Sequence, residues 1–490
     1  MTKSLLAITT ALLASACTVG PDYTPPAALS SPAPLGLVEQ APRSNATEVV
    51  RAESKWWEAF GDPMLTDLID HAVAENHNLR IASANVRLAR ALRRSESSTL
   101  LPQLGAGASY ARQRGSENGQ TNLGALSEAG VADVETDLMQ VGFDARWEID
   151  LFGGNQRRVE AASAKVESAI ESRRDVLLSI ISEVARNYGE LRGNQLQIDI
   201  TNRRIVILVH TLEIAQAKLE TGIGTQLDVE RARTNLASTR AQLPRLHTAE
   251  RSAAYRLAVL TGRQPAVIAS DLLISKPLPI SLDIVPVGLQ SDLLSRRPDV
   301  RRAERELAAA SAEIGVAKAE FFPKFSLTGA AGQESTSFSN LLSGTSSVFS
   351  IIPSITFPLF NGGRLRAQLE AANAGNDMAI AQFEQAILLA VEDVEASLVL
   401  YVETNKQTEA LQEALSAGRK SEDLARDLYN SGLGAFIDVL DAERSVTDLE
   451  LQLAASETES FISTIALYKA LGGGWQTVEQ RDRTGVITGS

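Results

Sequence analysis

The stretch TGIGTQLDVERARTN, beginning at Thr221, returns at Ser431 as SGLGAFIDVLDAERS. Both have Gly-x-Gly, then Asp-Val four residues after the second glycine, then a charged run of helical character. The echo runs on in order. EIDLFGGNQRRVEAASA at 148–164 is answered by TFPLFNGGRLRAQLEAANA at 356–374, and Ala-Val-Leu-Thr-Gly at 258–262 by Lys-Ala-Leu-Gly-Gly at 469–473. Upstream, LLPQL at 100–104 and FFPKF at 321–325 each precede a short run of small and polar residues. Several matches in one order read as an internal duplication, with repeats at 61–275 and 285–475.

Each repeat has one internal plan. A helical segment comes first, at Leu65 to about Ser98 and at Ser291 to about Glu320. Two strand-like segments follow, at 104–114 and 136–151 and again at 325–335 and 346–360, joined by Gly- and Ser-rich loops. In the second strand Leu138, Val141, Phe143, Ala145 and Trp147 read as an apolar face, with Asp144, Arg146 and Glu148 opposite. Tyr110, Phe143, Trp147, Phe152, Phe349, Phe357 and Phe360 are candidates for an aromatic girdle at a membrane interface. A long helix then follows, because 155–220 and 364–430 contain no proline. At 1.5 Å per residue such a helix extends about 90 Å, which no globular core covers. Leu177, Ile181, Val184, Tyr188 and Leu191 recur at 4,3,4,3 spacing, and Val391, Val394, Leu398 and Tyr401 at 3,4,3. These are seams of helices packed side by side. Gly222 and Gly224, like Gly432 and Gly434, stop the long helix and let the chain reverse. Asp228 and Asp438 then fall in the first turn of a return helix, where the helix dipole favours negative charge. The return helices run to Gly262 and Gly472.

The N-terminus sets the compartment. Residues 1–16 read as a secretory signal peptide, too short in their apolar core to span a bilayer. Ala14-Ser15-Ala16-Cys17 resembles a bacterial lipobox, and Cys17 is the sole cysteine. It is therefore a lipidation site, and Thr18 after it implies delivery to the outer membrane. Residues 17–60 read as a lipidated, Pro-rich tether and 476–490 as a short polar tail. The net charge of -13 argues against nucleic acid. The four histidines show no metal spacing, and neither a nucleophile elbow nor a phosphate loop is present. An enzyme is not expected, nor a metal, nor any cofactor beyond the covalent lipid.

Two hairpins give four strands, and four strands cannot close a barrel in lipid, where open edges are intolerable. Three chains sharing twelve strands form the smallest assembly with room for a lumen. A lipid-anchored periplasmic coiled-coil scaffold, with a small soluble sheet, is the alternative that composition leaves open.

The chain resembles the TolC-like outer-membrane factors, in their lipoprotein (NodT-type) branch that serves RND efflux pumps. The resemblance rests on CTVGPDYTPP (17–26), WWEAFGDPMLTDLI (56–69), SRRPDVRRAERELAAASAEIGVAKAEFFPKFSLTG (295–329), the two Leu-Phe/Gly-Gly stretches, SGLGAFIDVLDAERS and LYKALGGGW (467–475). It implies a mainly α fold with a small β part. Duplicated helical hairpins would form an α-barrel, and two β-hairpins per chain would contribute to a 12-stranded trimeric β-barrel. It implies an outer-membrane channel projecting into the periplasm, passive in transport, partnered by a periplasmic adaptor and an inner-membrane RND transporter. It also implies a gate after the second tip, at Asp441 and Arg444 with Tyr429 and Ile437 beside them, and adaptor contact at the glycine tips. Arg231 stands where the second repeat has Asp441, so the two tips are not equivalent. The outer component of a type I protein secretion system is the alternative within the channel class.

Overall fold

The structure, a computed structural model, describes residues 18–25, 55–116, 134–279 and 296–476. The signal segment, Cys17 and most of the 17–60 tether lie outside the described residues, as do 477–490 of the tail. In chain order the elements are α1 (Pro63–Glu75), α2 (His77–Ser98), β1 (Gln103–Arg114), β2 (Glu135–Ile149), α3 (Gly154–Glu220), α4 (Gln226–Arg240), α5 (Leu243–Leu260), α6 (Pro265–Leu272), α7 (Pro298–Ala319), β3 (Lys324–Ser335), β4 (Ser347–Thr356), α8 (Arg364–Asn430) and α9 (Phe436–Ala470). The fold is the expected one, mainly helical with a small β part. The two proline-free runs form helices of 67 residues each. No described helix is long and apolar enough to cross a membrane.

Two local breaks depart from the expected elements. The first helical segment is two helices, because Asn76 caps α2: its side-chain oxygen accepts the N–H groups of Asn78 at 2.8 Å and Leu79 at 3.2 Å. The first return helix is also two, because Pro244 lacks the N–H that an unbroken ladder requires and instead sits at the start of α5. The second return helix, α9, runs 35 residues without interruption.

The chain divides into two compact units, each drawn from both repeats. One, from 18–25, 86–169 and 303–383, holds the sheet. Its four strands are antiparallel in the order β1-β2-β3-β4, with Gly107 opposite Gly142, Gly142 opposite Gly332, and Ala331 opposite Phe349. Residues directly opposite share a face. One face therefore collects Leu104, Tyr110, Met139, Val141, Phe143, Trp147, Leu327, Phe349, Ile351 and Ile355. The other collects Ser109, Gln140, Asp144, Arg146, Glu148, Ser326, Glu334 and the glycine row. Leu138 belongs to this second face, contrary to the sequence reading, because it is one residue out of phase with Val141. β4 stops at Thr356 rather than 360, two residues before Pro358. The residues Thr18 to Pro25 lie against the same unit. The Val19 N–H donates to the Phe152 carbonyl at 3.1 Å, the buried Arg157 guanidinium donates to Asp22 at 2.7 Å, and the Tyr23 hydroxyl donates to Glu304 at 2.6 Å. Burial, and then that bond to Glu304, push the Tyr23 phenol above its ordinary value.

The other unit, from 55–85, 170–279, 296–302 and 384–476, is a helical bundle with one large core. The predicted seam Leu177, Ile181, Val184, Tyr188 and Leu191 is wholly buried. In the second seam Val394, Leu398 and Tyr401 are buried and Val391 half-buried. Trp56 stacks on Tyr468 with centroids 5.1 Å apart, and Phe60 packs on Phe461 at 4.7 Å. Asp62 caps α1 through the Met64 N–H at 2.8 Å and also accepts the Tyr188 hydroxyl, tying the WWEAFGDP segment to α3.

Candidate functional site

The two Gly-x-Gly tips have the same backbone. Gly222 and Gly432 both sit at φ 74°, in the left-handed region that other residues avoid. Their N–H groups return to Leu219 and Tyr429, and those of Gly224 and Gly434 to the Lys218 and Leu428 carbonyls at 2.8 and 3.1 Å. These bonds satisfy carbonyls that the ending helix leaves open. The second glycine of each pair serves a different purpose from the first. It lies outside the left-handed region, but a Cβ there would meet the end of the long helix, Lys218 and Leu219 at 3.0 Å and Leu428 at 3.1 Å. The sequence reading gave all four glycines one role, ending the helix; the structure puts left-handed backbone at one per tip. Between the glycines, Ile223 and Leu433 project into solvent, each 81% exposed.

Behind the tips, Ala215, Val229, Ala232, Phe436 and Leu440 form a buried cluster to which α3, α4 and α9 contribute, with Leu212, Leu219 and Tyr429 packed against it. Tyr429 meets the Phe436 ring at 5.2 Å, and the Lys218 ammonium lies 3.6 Å from its ring centre. Ile437 is half-buried on the first turn of α9. Tyr429 and Ile437 therefore sit beside the second tip.

Asp441 and Arg444 both face solvent from α9. Three residues apart, they share a helix surface. Among the described residues neither takes part in an ion pair or hydrogen bond with a side chain of this chain. The one α9 residue between them that points inward is Glu443, 1% exposed, which sequence reasoning did not single out. Its carboxylate meets Arg204 of α3 at 3.4 Å and Arg426 of α8 at 3.3 Å, and it accepts the Thr211 hydroxyl at 3.3 Å. Glu422 completes the group, 3.3 Å from Arg204 and 3.0 Å from Arg426. A signal was present in the sequence. Thr201, Arg204, Leu208, Thr211 and Ala215 recur at 3,4,3,4 spacing, which puts an arginine on a buried seam.

Burial pushes the Glu443 carboxyl above its ordinary value, and the charges of Arg204 and Arg426 do not bring it back. A second buried arginine of the same unit behaves otherwise. Arg297 donates to Asp299 at 2.7 Å, to Asp393 at 2.8 Å and to the Ala470 carbonyl at 2.9 Å. Burial would raise the Asp299 carboxyl, but the hydrogen bonds and charge of Arg297, with the Val300 N–H, hold it below its usual value. Burial, then the Asp299 charge, push the nearby Asp175 carboxyl up against the weaker pull of Arg302, Lys469 and Arg297. Among the described residues no group of three His, Cys, Asp or Glu side chains is placed to hold a metal ion.

Known proteins similar to this chain agree on one kind of molecule. The family model described as "Outer membrane efflux protein" matches residues 68–263 and 289–473. The solvent efflux pump outer membrane protein SrpC of Pseudomonas putida is 34% identical over 469 residues, 95% of this chain and 97% of its own length. The toluene efflux pump outer membrane protein TtgF, also of Pseudomonas putida, is 31% identical over 488 residues, 99% of each chain. The solved structure of the outer-membrane channel OprN superposes with a TM-score of 0.87 at 34% identity, covering 94% of this chain and all of that one.

Proposed function

The chain belongs to the outer membrane efflux protein family and is an outer-membrane efflux channel; on that premise we propose that three copies share one barrel and that the second tip of each copy is its gate. The observation that carries the assembly is the sheet itself. Its apolar face is exposed, Phe349 by 84% and Ile351 by 71%, and β1 and β4 have no partner strand on their outer sides within the described chain. Met139 to Trp147 on that face span about 27 Å along the strand, the height of a bilayer's apolar band. Tyr110 stands opposite Met139, and beyond them the same face turns to Arg112, Glu135 and Asp137, with Arg112 and Glu135 paired at 2.7 Å, as the margin of such a band requires. Four strands with open edges do not survive in lipid, and twelve close around a lumen. A periplasmic scaffold would leave that face to water, which favours the channel.

The gate is formed by Asp441 and Arg444, exposed and without a side-chain partner among the described residues, so that each reaches an equivalent residue of a neighbouring copy. Tyr429 and Ile437 narrow the passage beside them. The glycine turns at 222, 224, 432 and 434 present Ile223 and Leu433 to a periplasmic adaptor, which links the channel to an inner-membrane RND transporter. Opening follows when that contact favours the open arrangement. Transport is passive, no catalytic step is involved, and a lipid on Cys17 supplements the barrel's hold on the membrane. Ile223→Asp with Leu433→Asp leaves conductance in place and abolishes adaptor capture; unchanged capture would move the contact elsewhere. The mass of the detergent-extracted complex, corrected for bound detergent, tests the assembly. Three chains support it, and a monomer that is soluble once the lipid-bearing Cys17 is removed returns the protein to the scaffold reading.

A further inference from the structure

The gate pair and the buried carboxylate ride on one rigid helix. Successive residues turn by about 100° in an α-helix, so Glu443 projects nearly opposite Asp441. Asp441 and Arg444 cannot change their facing unless Glu443 moves against Arg204, Thr211, Glu422 and Arg426. The energetics of that inner contact therefore enter the energetics of the gate.

The contact is poorly satisfied. Arg204 is 4% exposed, and among the described residues its Nε and Nη2 atoms have no hydrogen bond; neither has Glu443 Oε2. The four ionic contacts range from 3.0 to 3.4 Å. Well-formed charge-assisted bonds lie at about 2.7–2.9 Å, and the Arg297 group of the same unit attains that range at Asp299 and Asp393. Arg204, Glu422 and Glu443 are buried at loose contact, with Arg426 reaching in from the exposed side, and such a group recovers only part of what desolvation removes. The Arg297 group is a clamp, and the Arg204 group is not.

Resting on the gate reading above, we propose that Glu443 is a positioning residue of the gate. Its buried, under-coordinated carboxylate, together with Arg204, destabilises the packed arrangement enough to keep α9 ready to turn. The raised Glu443 carboxyl agrees in sign. Protons bind better to the packed arrangement, where the carboxyl is pushed up, than to one in which Glu443 reaches water and returns towards the ordinary 4.5. Lowering pH through that window therefore favours the packed, closed arrangement, and raising pH above it withdraws that contribution. The charged and polar groups facing the carboxylate are Arg204 and Thr211 from α3 and Glu422 and Arg426 from α8.

The test is single-channel recording on the full chain in planar bilayers, with hydrogen exchange of residues 431–445 on the same preparations. Glu443→Gln keeps the shape and removes the charge. It lowers open probability several-fold, slows exchange at the tip and flattens the pH dependence. Arg204→Met leaves Glu443 less compensated and raises open probability several-fold. The double variant Arg204→Met/Glu443→Leu behaves like Glu443→Gln, because no unpaired buried charge remains. Asp441→Asn serves as the control for the gate itself. If Asp441→Asn alters gating while Glu443→Gln and Arg204→Met match the parent, or if Glu443→Gln opens the channel, the proposal is wrong and the gate reading stands. If Asp441→Asn is silent as well, the gate reading fails with it. A purely structural role would shift melting in every variant and leave the pH profile of opening unaltered, which also overturns the proposal.

Discussion

The two helical hairpins share a turn and differ in nearly everything behind it. The first returns through α4 and α5, broken at Pro244; the second returns through α9 in one piece. The first presents Gln226 to solvent where the second buries Phe436, and it places the exposed Arg233, paired with Glu230 at 3.2 Å, where the second buries Glu443. A duplication preserves the turn because Gly-x-Gly is a backbone requirement, indifferent to the surroundings. It does not preserve the side chains behind the turn, which on the proposed gate reading would follow if only one hairpin transmits movement over its whole length. A continuous helix couples its ends, and a broken one absorbs displacement at the break. The second hairpin has the continuous helix, and it also carries Asp441 and Arg444, the pair proposed as the gate.

The largest expected effect breaks that difference directly. Ala454 occupies in α9 the place that Pro244 takes between α4 and α5, and it is buried. Ala454→Pro removes a ladder bond in a helix interior, costing about 3 kcal/mol or more. The cost appears as faster hydrogen exchange along 440–460. Pro244→Ala, at a helix start, changes stability by about 0.5 kcal/mol at most. If the two substitutions cost alike, continuity of α9 is not what separates the hairpins. Next comes Phe436→Ala, which empties the centre of the cluster behind the tips and destabilises the tip by about 3 kcal/mol. Gln226→Ala, its exposed counterpart, leaves exchange at both tips as it is.

How far the sequence led follows from what kind of signal each feature left. Leu177, Ile181, Val184, Tyr188 and Leu191 were legible as a seam because apolar spacing is set by helix geometry alone. The tips were legible because they occur twice. Asn76 was not, since an asparagine inside a helical pattern reads equally as a surface residue or a cap, and only its bonds to Asn78 and Leu79 decide. Pro244 was a visible stop signal, masked by the expectation that the repeats match in length. Arg204 and Glu443 were hidden because a charge in a helix reads as solvent-facing; their seam positions become informative once opposite charges on separate helices are seen to meet. Gly224 and Gly434 needed coordinates, because close approach of backbone leaves no trace in composition. Asp441 and Arg444 are exposed on α9, and their gate role, implied by the family resemblance alone, depends on what they touch across copies.

The smallest expected effect concerns how the two return helices begin. Thr225 and Asp228 form a reciprocal capping box: the Asp228 N–H donates to the Thr225 hydroxyl oxygen at 3.2 Å, and the Thr225 N–H donates to the Asp228 carboxylate at 3.3 Å. In the second hairpin Asp438 accepts the Ala435 N–H at 3.2 Å, but alanine has no side-chain oxygen to return the bond. The second return helix is thus half-capped at its first turn. Ala435→Thr completes the box and stabilises that turn by about 1 kcal/mol, whereas Thr225→Ala removes about as much from the first. Hydrogen exchange at 436–440 and 226–230 reads both. Exchange that slows at 436–440 while channel opening also becomes rarer would tie the loose start of α9 to its readiness to turn. Slower exchange with unaltered opening would confine that readiness to the buried charges around Glu443.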